Sequence, residues 1–488
     1  MEPLEKNNDL GHQETAENVY RSVRVDPAIE KRVVRKLDLN LMPIVMALYV
    51  MSIMDRSNIG AADVAGMSKG IHESNPQFSW LNTIFYIPYV LFEWMALMWK
   101  VLPPHIWAFG CVLVGLGLAA TLQALTVNWK GMMVCRFFLA IAEAGYGPGI
   151  PYLLSFFYMR GEIGKRCGVF LSCSPLATAF ASALAYAITL HKQKLAAWRL
   201  LFLVEGLPTI LLAFVAYFFL ADSPQKARFL TEEEKDVARA RAIRQVGQES
   251  ESRVGSVSFR DAVEAVMDPK NWLTALMYFS CNVSFSSLPV FLPTILTNMG
   301  YTSIRAQGLA APPYVLSFIL CIATTQIADR IRQRGLIIII LSLIGGAGYV
   351  LQATCKGLAV RYLGIWLSVA GIFPCIANIL PWVLNNQGTD TKRGVGIALL
   401  QMVGQCGPIL GTRLYPAKEA PYFVKGKSIC AAFMFLNAFL ALVLRRYLNW
   451  QNRKFSVRES DFGAVIGGDG KQEVVAVENE GYGFRNIL

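Results

Sequence analysis

The sequence predicts an all-α membrane protein in which twelve transmembrane helices form two pseudo-symmetric halves of six. Apolar residues make up 54% of the 488-residue chain and charged residues only 16%, whereas soluble domains carry about 25% charged residues. Apolar runs of about 20 residues, the length that crosses a bilayer, recur along the chain. One long polar break divides these runs into two sets of six.

The apolar runs are the predicted transmembrane helices, because backbone polar groups inside lipid must find partners within their own segment. Their predicted bounds are 39–64, 79–99, 106–126, 131–158, 167–190, 198–220, 271–297, 308–328, 335–354, 360–384, 394–415 and 428–448. The same division predicts a cytosolic N-terminal tail at 1–38, an N-terminal half at 39–221, a central cytosolic loop at 222–270, a C-terminal half at 271–448 and a cytosolic C-terminal tail at 449–488.

The central loop is polar and carries its own local signals. Pro224, after Asp222 and Ser223, is expected to stop the sixth helix. Thr231 with Glu234 three residues later is a capping box, which predicts the start of a short amphipathic helix. We interpret the loop as a tether along the membrane surface rather than a catalytic domain, so the chain is not predicted to be an enzyme.

Lysine and arginine near the helix ends predict the orientation, because these residues accumulate on the cytosolic side. One side of the predicted bundle carries Lys31, Arg32, Arg35, Lys36, Arg160, Lys165, Arg166, Arg330, Arg332, Arg334, Arg445, Arg446, Arg453 and Lys454. Both termini are therefore predicted to be cytosolic. The exceptions, which fall on the outer side, are Lys192, Lys194, Lys418, Lys425 and Lys427.

Other functional classes find little support in the sequence. The net charge of +12 is spread between apolar runs without a nucleic-acid-binding motif, so no nucleic-acid partner is predicted. None of the ten cysteines forms a CxxC pair, which favours buried free thiols over disulfides or a zinc site. Gly426-Lys427-Ser428 resembles the end of a phosphate-binding loop, but Pro421 stands where that motif needs glycine. Neither ATP-driven transport nor a metal or other cofactor is therefore predicted.

Ionisable residues inside the predicted helices are expected to have a specific role, since each raises the free energy of membrane insertion by about 2.5–3.5 kcal/mol at a helix centre. Those of the N-terminal half are Asp55, Arg56, Glu93, Arg136, Glu143 and Glu205. The helices of the C-terminal half have no acidic residue before Asp329. Any coupling of transport to ions through carboxylates is therefore expected in the N-terminal half.

Two of these arginines are predicted to lie at the same depth. Arg56 is roughly 22 Å along the first helix from its cytosolic end, and Arg136 is roughly 8 Å from the outer end of the antiparallel fourth helix. Glu143 lies seven residues after Arg136 on the same helix face, about 10 Å deeper and too far for a direct ion pair. Arg136 and Glu143 therefore each need a partner from another helix or from a substrate.

These residues predict a site for an organic anion, because arginine binds carboxylates in a two-pronged fashion. Arg56 and Arg136 are the predicted anion-binding residues, and Glu143 and Asp55 the predicted proton-coupling residues. Further substrate-binding candidates are the polar residues Asn58, Tyr86, Asn282, Asn378 and Gln401. Two structural alternatives remain: Arg56 reaching the lipid headgroups, or an ion-pair network between the first and fourth helices without a transport role.

A second set of candidates lies in the turn after the eighth helix. Residues 328–334 read Ala-Asp-Arg-Ile-Arg-Gln-Arg, which resembles the loop motif of the major facilitator superfamily. Asp329, Arg330 and Arg334 are the predicted gating residues. The equivalent stretch after the second helix, 98–104, lacks the acidic residue.

Longer stretches resemble the anion:cation symporter family within that superfamily, and the fungal allantoate permease branch fits best. They are 48–60, 136–145, 198–224, 291–314 and 385–416. In bacterial members of this family, an Asp-Arg pair of the first helix and an Arg and a Glu of the fourth form the site. The resemblance therefore implies that role for Asp55, Arg56, Arg136 and Glu143.

The resemblance also implies a function, namely proton-coupled uptake of a small organic anion by alternating access at the plasma membrane. The anion would be of carboxylate, vitamin or ureide type; the other implied partners are protons and the lipid bilayer, and a monomer is expected to be functional. One alternative is an exporter of a secondary metabolite or drug with the same fold. A second is a nutrient receptor that binds without transporting, which the short tail after Leu448 disfavours.

Overall fold

The computed structural model describes residues 26–190, 194–246, 259–387, 390–466 and 485–488. All regular secondary structure in these ranges is helical. Most of the predicted N-terminal tail (1–25), the middle of the predicted central loop (247–258), part of the predicted C-terminal tail (467–484) and Lys192 lie outside the described residues.

Twelve membrane segments follow one another along the chain. They are α1 (Met42–Val64), α2 (Asn75–Phe92), α3 (Pro104–Gly110, continued as a π-helix over Cys111–Ala119), α4 (Trp129–Tyr146), α5 (Arg160–Leu190), α6 (Ala197–Phe219), α7 (Pro269–Asn298), α8 (Ser303–Ile331), α9 (Arg334–Thr354), α10 (Leu358–Asn385), α11 (Asp390–Gly404) and α12 (Val424–Ile466). Within the described residues, eleven of these segments, all except α4, contain a helix that is long and apolar enough to cross a membrane. The predicted all-α fold of two six-segment halves is confirmed.

The fourth segment, predicted over 131–158, is interrupted. It is divided at Gly147-Pro148, and the chain continues as a separate helix, Gly149–Phe157. Pro148 has no N–H to donate to the Ala144 carbonyl, and the indole nitrogens of Trp99 and Trp107 donate to the next carbonyl, that of Gly145, at 2.8 and 3.1 Å. The interrupted segment is also the one that carries Arg136 and Glu143.

We call the end of the bundle that carries Asp38, Asp329 and the helix Glu232–Val246 the loop face, and the opposite end the far face. The two halves touch at both. At the loop face, Gly164 of α5 packs against the side chains of Asp329 and Arg334. At the far face, a Cβ on Gly60 would lie 2.7 Å from the Val290 carbonyl oxygen. The two halves are therefore in close contact at both ends.

Ion pairs fix the central loop to the loop face of the N-terminal half. Arg241, in the helix Glu232–Val246, pairs with Glu30 at 3.0 Å and with Glu162 at 2.5 Å. The predicted capping box is confirmed, because the Thr231 N–H donates to Glu234 at 2.9 Å and the Glu234 N–H donates to Thr231 Oγ1 at 3.4 Å. Desolvation opposes ionisation of Glu234, but hydrogen bonds from Lys36 and the Thr231 N–H outweigh it and lower its pKa.

The last residues of the chain return to the loop face of the C-terminal half. Asn386, after α10, donates to and accepts from the main chain of Ile487, at 3.1 and 2.8 Å. Asn452 of α12 does the same with the main chain of Asn486, at 2.9 and 2.8 Å. The Trp382 indole adds a bond to the Ile487 carbonyl at 2.7 Å. These bonds connect α10 to the loop-face extension of α12.

All ten cysteines are free thiols, and seven of them are buried. Burial inside the helix bundle, as predicted, holds for those seven, whereas Cys135 and Cys355 are partly exposed and Cys406 is exposed. Cys281 of α7 and Cys375 of α10 pack against each other, with their sulfur atoms 3.6 Å apart.

Close packing in the C-terminal half depends on glycine. A Cβ on Gly371 of α10 would lie 2.5 Å from the Gly345 Cα and 2.6 Å from the Leu341 carbonyl oxygen of α9. Because both are main-chain atoms, Gly371→Ala should push α9 and α10 apart at a cost of roughly 1–3 kcal/mol. We expect a lower thermal midpoint for the purified variant in detergent. Gly110→Ala, where nothing lies within 4 Å, is the control, and equal midpoints for the two variants would contradict the packing described.

Candidate functional site

A buried ion pair between the first and fourth segments forms the centre of the site. The Arg56 Nη2 atom of α1 lies 2.6 Å from the Glu143 Oε1 atom of α4, and the side chains are 14% and 2% exposed. The Arg56 guanidinium also lies 5.1 Å from the rings of Phe85 and Tyr89 on α2. The alternative in which Arg56 reaches the headgroups is therefore wrong, because its side chain points into the protein.

A second group of buried polar residues lies beside this pair. Asp55, Asn58, Arg136 and Glu205 are each at most 2% exposed, and Arg136 lies within electrostatic range of both Asp55 and Glu205. The Nε and Nη2 atoms of Arg136 and the carboxylate oxygens of Asp55 and Glu205 have no hydrogen-bond partner among the described residues. Each unpartnered buried group costs about 1–3 kcal/mol, so this group favours the arrival of a proton, water or ligand.

Two cavities lie between the halves at this depth. They have about 570 and 520 Å³ of empty space, a volume that includes their openings to solvent. Their shared lining residues are Ile53, Arg56, Ser174, Phe285 and Phe373. The first cavity also exposes Glu143, Tyr89, Tyr278, Gln401 and Gln405, and the second Tyr86, Arg136 and Ser286. Arg56 thus faces a partly aromatic space that residues of both halves line.

The structure brings together most of the predicted site residues and separates Asn282 and Asn378 from them. Those that line a cavity are Arg56, Arg136, Tyr86, Gln401 and Glu143, and Asp55 is buried next to them without lining either. Asn58, Asn282 and Asn378 line neither cavity.

The last two asparagines connect helices instead. The Asn282 amide donates to the Gly404 carbonyl of α11 at 3.2 Å. The Asn378 amide donates to Pro374 and Thr324, at 2.8 and 3.2 Å. A single sequence does not fix how each helix is rotated about its own axis, which is why these residues were grouped with the substrate candidates.

The predicted gating residues lie at the contact between the halves on the loop face. Arg334, at the start of α9, forms an ion pair with Asp329 at the end of α8, and its Nη1 atom is 3.4 Å from Asn378 Oδ1. The pair packs against Gly164 of the other half. Arg330 is exposed. In the equivalent stretch of the N-terminal half, which lacks the acid, Lys100 donates to Thr391 of α11 at 3.3 Å.

The comparisons with known proteins agree with this architecture. The family model described as Major Facilitator Superfamily matches residues 45–412. The chain belongs to the major facilitator superfamily. Members of this superfamily are carriers of small molecules rather than enzymes.

Two similar carriers come from fungi. The chain is 31% identical over 484 residues to the MFS transporter prlL of Fungal sp. (strain NRRL 50135), covering 94% of this chain and 96% of that protein. It is 30% identical over 418 residues to the high-affinity nicotinic acid transporter of Saccharomyces cerevisiae, covering 85% of this chain and 77% of that protein.

Solved structures show the same fold. The proton:xylose symporter XylE superposes with a TM-score of 0.65 at 13% identity, covering 82% of this chain and 95% of that one. The fucose:proton symporter FucP of E. coli superposes with a TM-score of 0.59 at 14% identity, covering 82% and 97%. At this identity, the likeness concerns the fold alone.

Several residues of the cavities in this facilitator were missed by sequence reasoning. They are Tyr89, Ser174, Tyr278, Phe285, Phe373 and Gln405. Some carried a usable signal, because residues four or seven apart share a helix face. Tyr89 lies four residues after Phe85, Phe285 seven after Tyr278, and Gln405 four after Gln401. Phe373 carried no such signal, since it comes from the almost uniformly apolar α10.

The contact between Gly164 and the Asp329–Arg334 pair can be tested as a gate. A valine there would collide with the Asp329–Arg334 pair, since even a Cβ would lie 2.5 Å from an Asp329 carboxylate oxygen. Overpacking of about 1–2 kcal/mol should shift the population roughly 5–30-fold toward the conformation open at the loop face. Distances between spin labels at the exposed positions Lys165 and Arg332, in a variant without reactive cysteines, should lengthen. Gly308→Val, at a position with only Tyr186 nearby at 3.9 Å, is the control; unchanged distances in Gly164→Val would exclude a gate here.

Proposed function

We propose that this facilitator takes up a small organic anion together with protons, by alternating access around the Arg56–Glu143 pair. The observation that carries the proposal is the position of this pair, which lies between the halves and lines a cavity there. A purely structural ion pair would be expected to lie away from any ligand space. Here one guanidinium faces both cavities.

The charges around the cavities favour coupling to protons. Two buried arginines, Arg56 and Arg136, face four buried carboxyl groups, those of Asp55, Glu93, Glu143 and Glu205. Ionised groups are costly in a low-dielectric interior unless they are compensated. The two arginines carry two positive charges, and a bound monovalent anion compensates one of them. The site is then neutral only when one of the four carboxyl groups is ionised. Binding of the anion therefore requires that the other carboxyl groups carry protons.

The ion pair itself supplies an exchange mechanism. A substrate carboxylate that binds the Arg56 guanidinium replaces Glu143 as its counter-charge. Glu143 is then a buried carboxylate without a cation, and it favours a proton. Because binding free energies are linked reciprocally, the proton also raises the affinity for the anion. Asp55 near Arg136 is the second place at which a proton can be held.

The cavity walls favour a flat, partly aromatic anion. Phe85 and Tyr89 flank Arg56 on one side, while Phe285 and Phe373 of the other half line both cavities. Aromatic rings pack well against other rings. The name of the yeast nicotinic acid transporter and the resemblance to the allantoate permease branch both make nicotinate a suitable first probe. Other vitamins and ureides with a carboxylate follow it.

The transport cycle that we propose opens the two faces in turn. Opening at the loop face separates Gly164 from the Asp329–Arg334 pair, and opening at the far face separates Gly60 from Val290. We propose the plasma membrane as its location and a cytosolic loop face, as the distribution of lysine and arginine predicts. Each proton that enters down a 100 mV potential supplies about 2.3 kcal/mol.

The direct experiment measures uptake of labelled nicotinate, other vitamins, ureides and simple carboxylates in a yeast strain that lacks its own permeases. We expect uptake of a carboxylate that increases in acidic medium. Efflux of a larger apolar metabolite, with no carboxylate uptake, would instead support the exporter. Binding without either movement would support the receptor.

Replacing Glu143 tests proton coupling. Glu143→Gln imitates the protonated carboxyl group, so it should bind substrate and exchange it across the membrane but not accumulate it on a proton gradient. The measurement compares proteoliposome uptake under an imposed proton gradient with counterflow at equal pH. Glu30→Gln, at an ion pair on the loop face, is the control. Accumulation at the wild-type level by Glu143→Gln would move the coupling role to Asp55, Glu93 or Glu205.

Replacing the arginines tests the anion site. Arg56→Lys and Arg136→Lys keep the positive charge but lose the planar fork. We expect each to weaken carboxylate binding at least about tenfold, or 1.4 kcal/mol. Arg305→Lys, at an exposed position of α8, should bind as the wild type does. Near wild-type affinity in both site variants would exclude anion recognition by these side chains.

A further inference from the structure

Two basic residues are buried at the far face of the C-terminal half, away from the site between the halves. Lys427 lies in the first turn of α12 and is 1% exposed, and Arg361 lies in the first turn of α10 and is 5% exposed. Lysine and arginine are almost never this buried unless they are paired. Their burial therefore needs a partner of opposite charge.

The described residues do not supply that partner. The Lys427 ammonium and the Arg361 Nε atom have no hydrogen-bond partner among them. Arg361 is only partly satisfied, by the Pro421 carbonyl at 3.2 Å and by the Tyr422 ring, 4.9 Å from its guanidinium. The charge that acts on Lys427 is that of Arg361, which repels it, rather than that of a carboxylate. Two cations thus lie close together without a counter-ion from the described chain.

The start of α12 adds donors to the same place. The first N–H groups of a helix have no partner within the helix, and its N-terminus favours negative charge. Side chains lean toward the N-terminal end of their helix, so the Lys427 ammonium is directed at this first turn. Gly426 holds the turn against the preceding segment, since a Cβ there would lie 2.0 Å from the Leu414 carbonyl oxygen.

The surrounding surface is also positive. Lys425 in this turn and Lys418 in the segment before it are exposed. The lysines at 418, 425 and 427 are among the exceptions to the charge rule that otherwise predicts a cytosolic loop face. Clustered positive charge attracts anions and raises their local concentration. This basic cluster on the far face therefore supports an anion-binding role that is separate from the site at Arg56.

We propose that Lys427, Arg361 and the first turn of α12 form a second anion site, for an oxyanion such as inorganic phosphate or the phosphate of an anionic lipid headgroup. The bound oxyanion neutralises both cations and connects α10 to α12. This site lies in the other half from Glu143 and does not depend on the proposed transport of an organic anion.

The test measures the thermal midpoint of the full-length protein in an uncharged detergent. One arm adds inorganic phosphate against chloride at equal ionic strength, and the other adds phosphatidic acid against phosphatidylcholine. We expect a saturable rise of at least about 2 °C in one arm, since a ligand that binds only the folded state stabilises it. A rise with phosphate identifies a free oxyanion, and a rise with phosphatidic acid alone identifies a lipid.

The variants assign the effect to the site. Lys427→Met should abolish the rise, whereas Lys356→Met, at an exposed position just before α10, should keep it. If Lys427→Met does not fold, Arg361→Gln replaces it, and loss of the rise there supports the proposal equally. No rise with either probe, or a rise of equal size in Lys427→Met, would overturn the proposal.

Discussion

The fold of the N-terminal half is organised around one constraint, which is that a charge buried in a membrane protein needs a compensating partner. Arg56 and Glu143 satisfy it for each other across α1 and α4, with 2.6 Å between them. The aromatic rings of α2 then cover the guanidinium. In the proposed function a substrate carboxylate takes the place of Glu143 at Arg56, and a proton on Glu143 weakens its attraction for Arg56. The same contact therefore determines both packing and the proposed coupling.

The two halves contribute differently to this arrangement. The N-terminal half supplies the titratable groups, while α7, α10 and α11 of the C-terminal half supply aromatic and amide walls through Tyr278, Phe285, Phe373 and Gln401. The loop-face ion pair, by contrast, belongs to the C-terminal half and packs against a glycine of α5. The titratable groups of the N-terminal half thus face side chains of the C-terminal half, so the site is complete only when the two halves are in contact.

Much of this could be predicted from the sequence because it depends on local rules. Helix lengths, the capping box at Thr231 and Glu234, and the need of Glu143 for a partner on another helix follow from composition, spacing and rise per residue. The rotation of each helix does not, and Asn282 and Asn378 accordingly bond to neighbouring helices instead of facing a cavity. The return of Ile487 to Asn386 also required the structure, because it joins residues a hundred positions apart.

The most direct measurement is the proton exchange that accompanies anion binding. Purified protein in weakly buffered detergent solution is mixed with nicotinate, or with the carboxylate that the uptake panel identifies, and the pH is followed with an indicator dye. Because the anion displaces Glu143 from Arg56, we expect protons to be taken up from solution in proportion to the ligand bound. Binding without a pH change, or with release of protons, would contradict the exchange of Glu143 for substrate at Arg56.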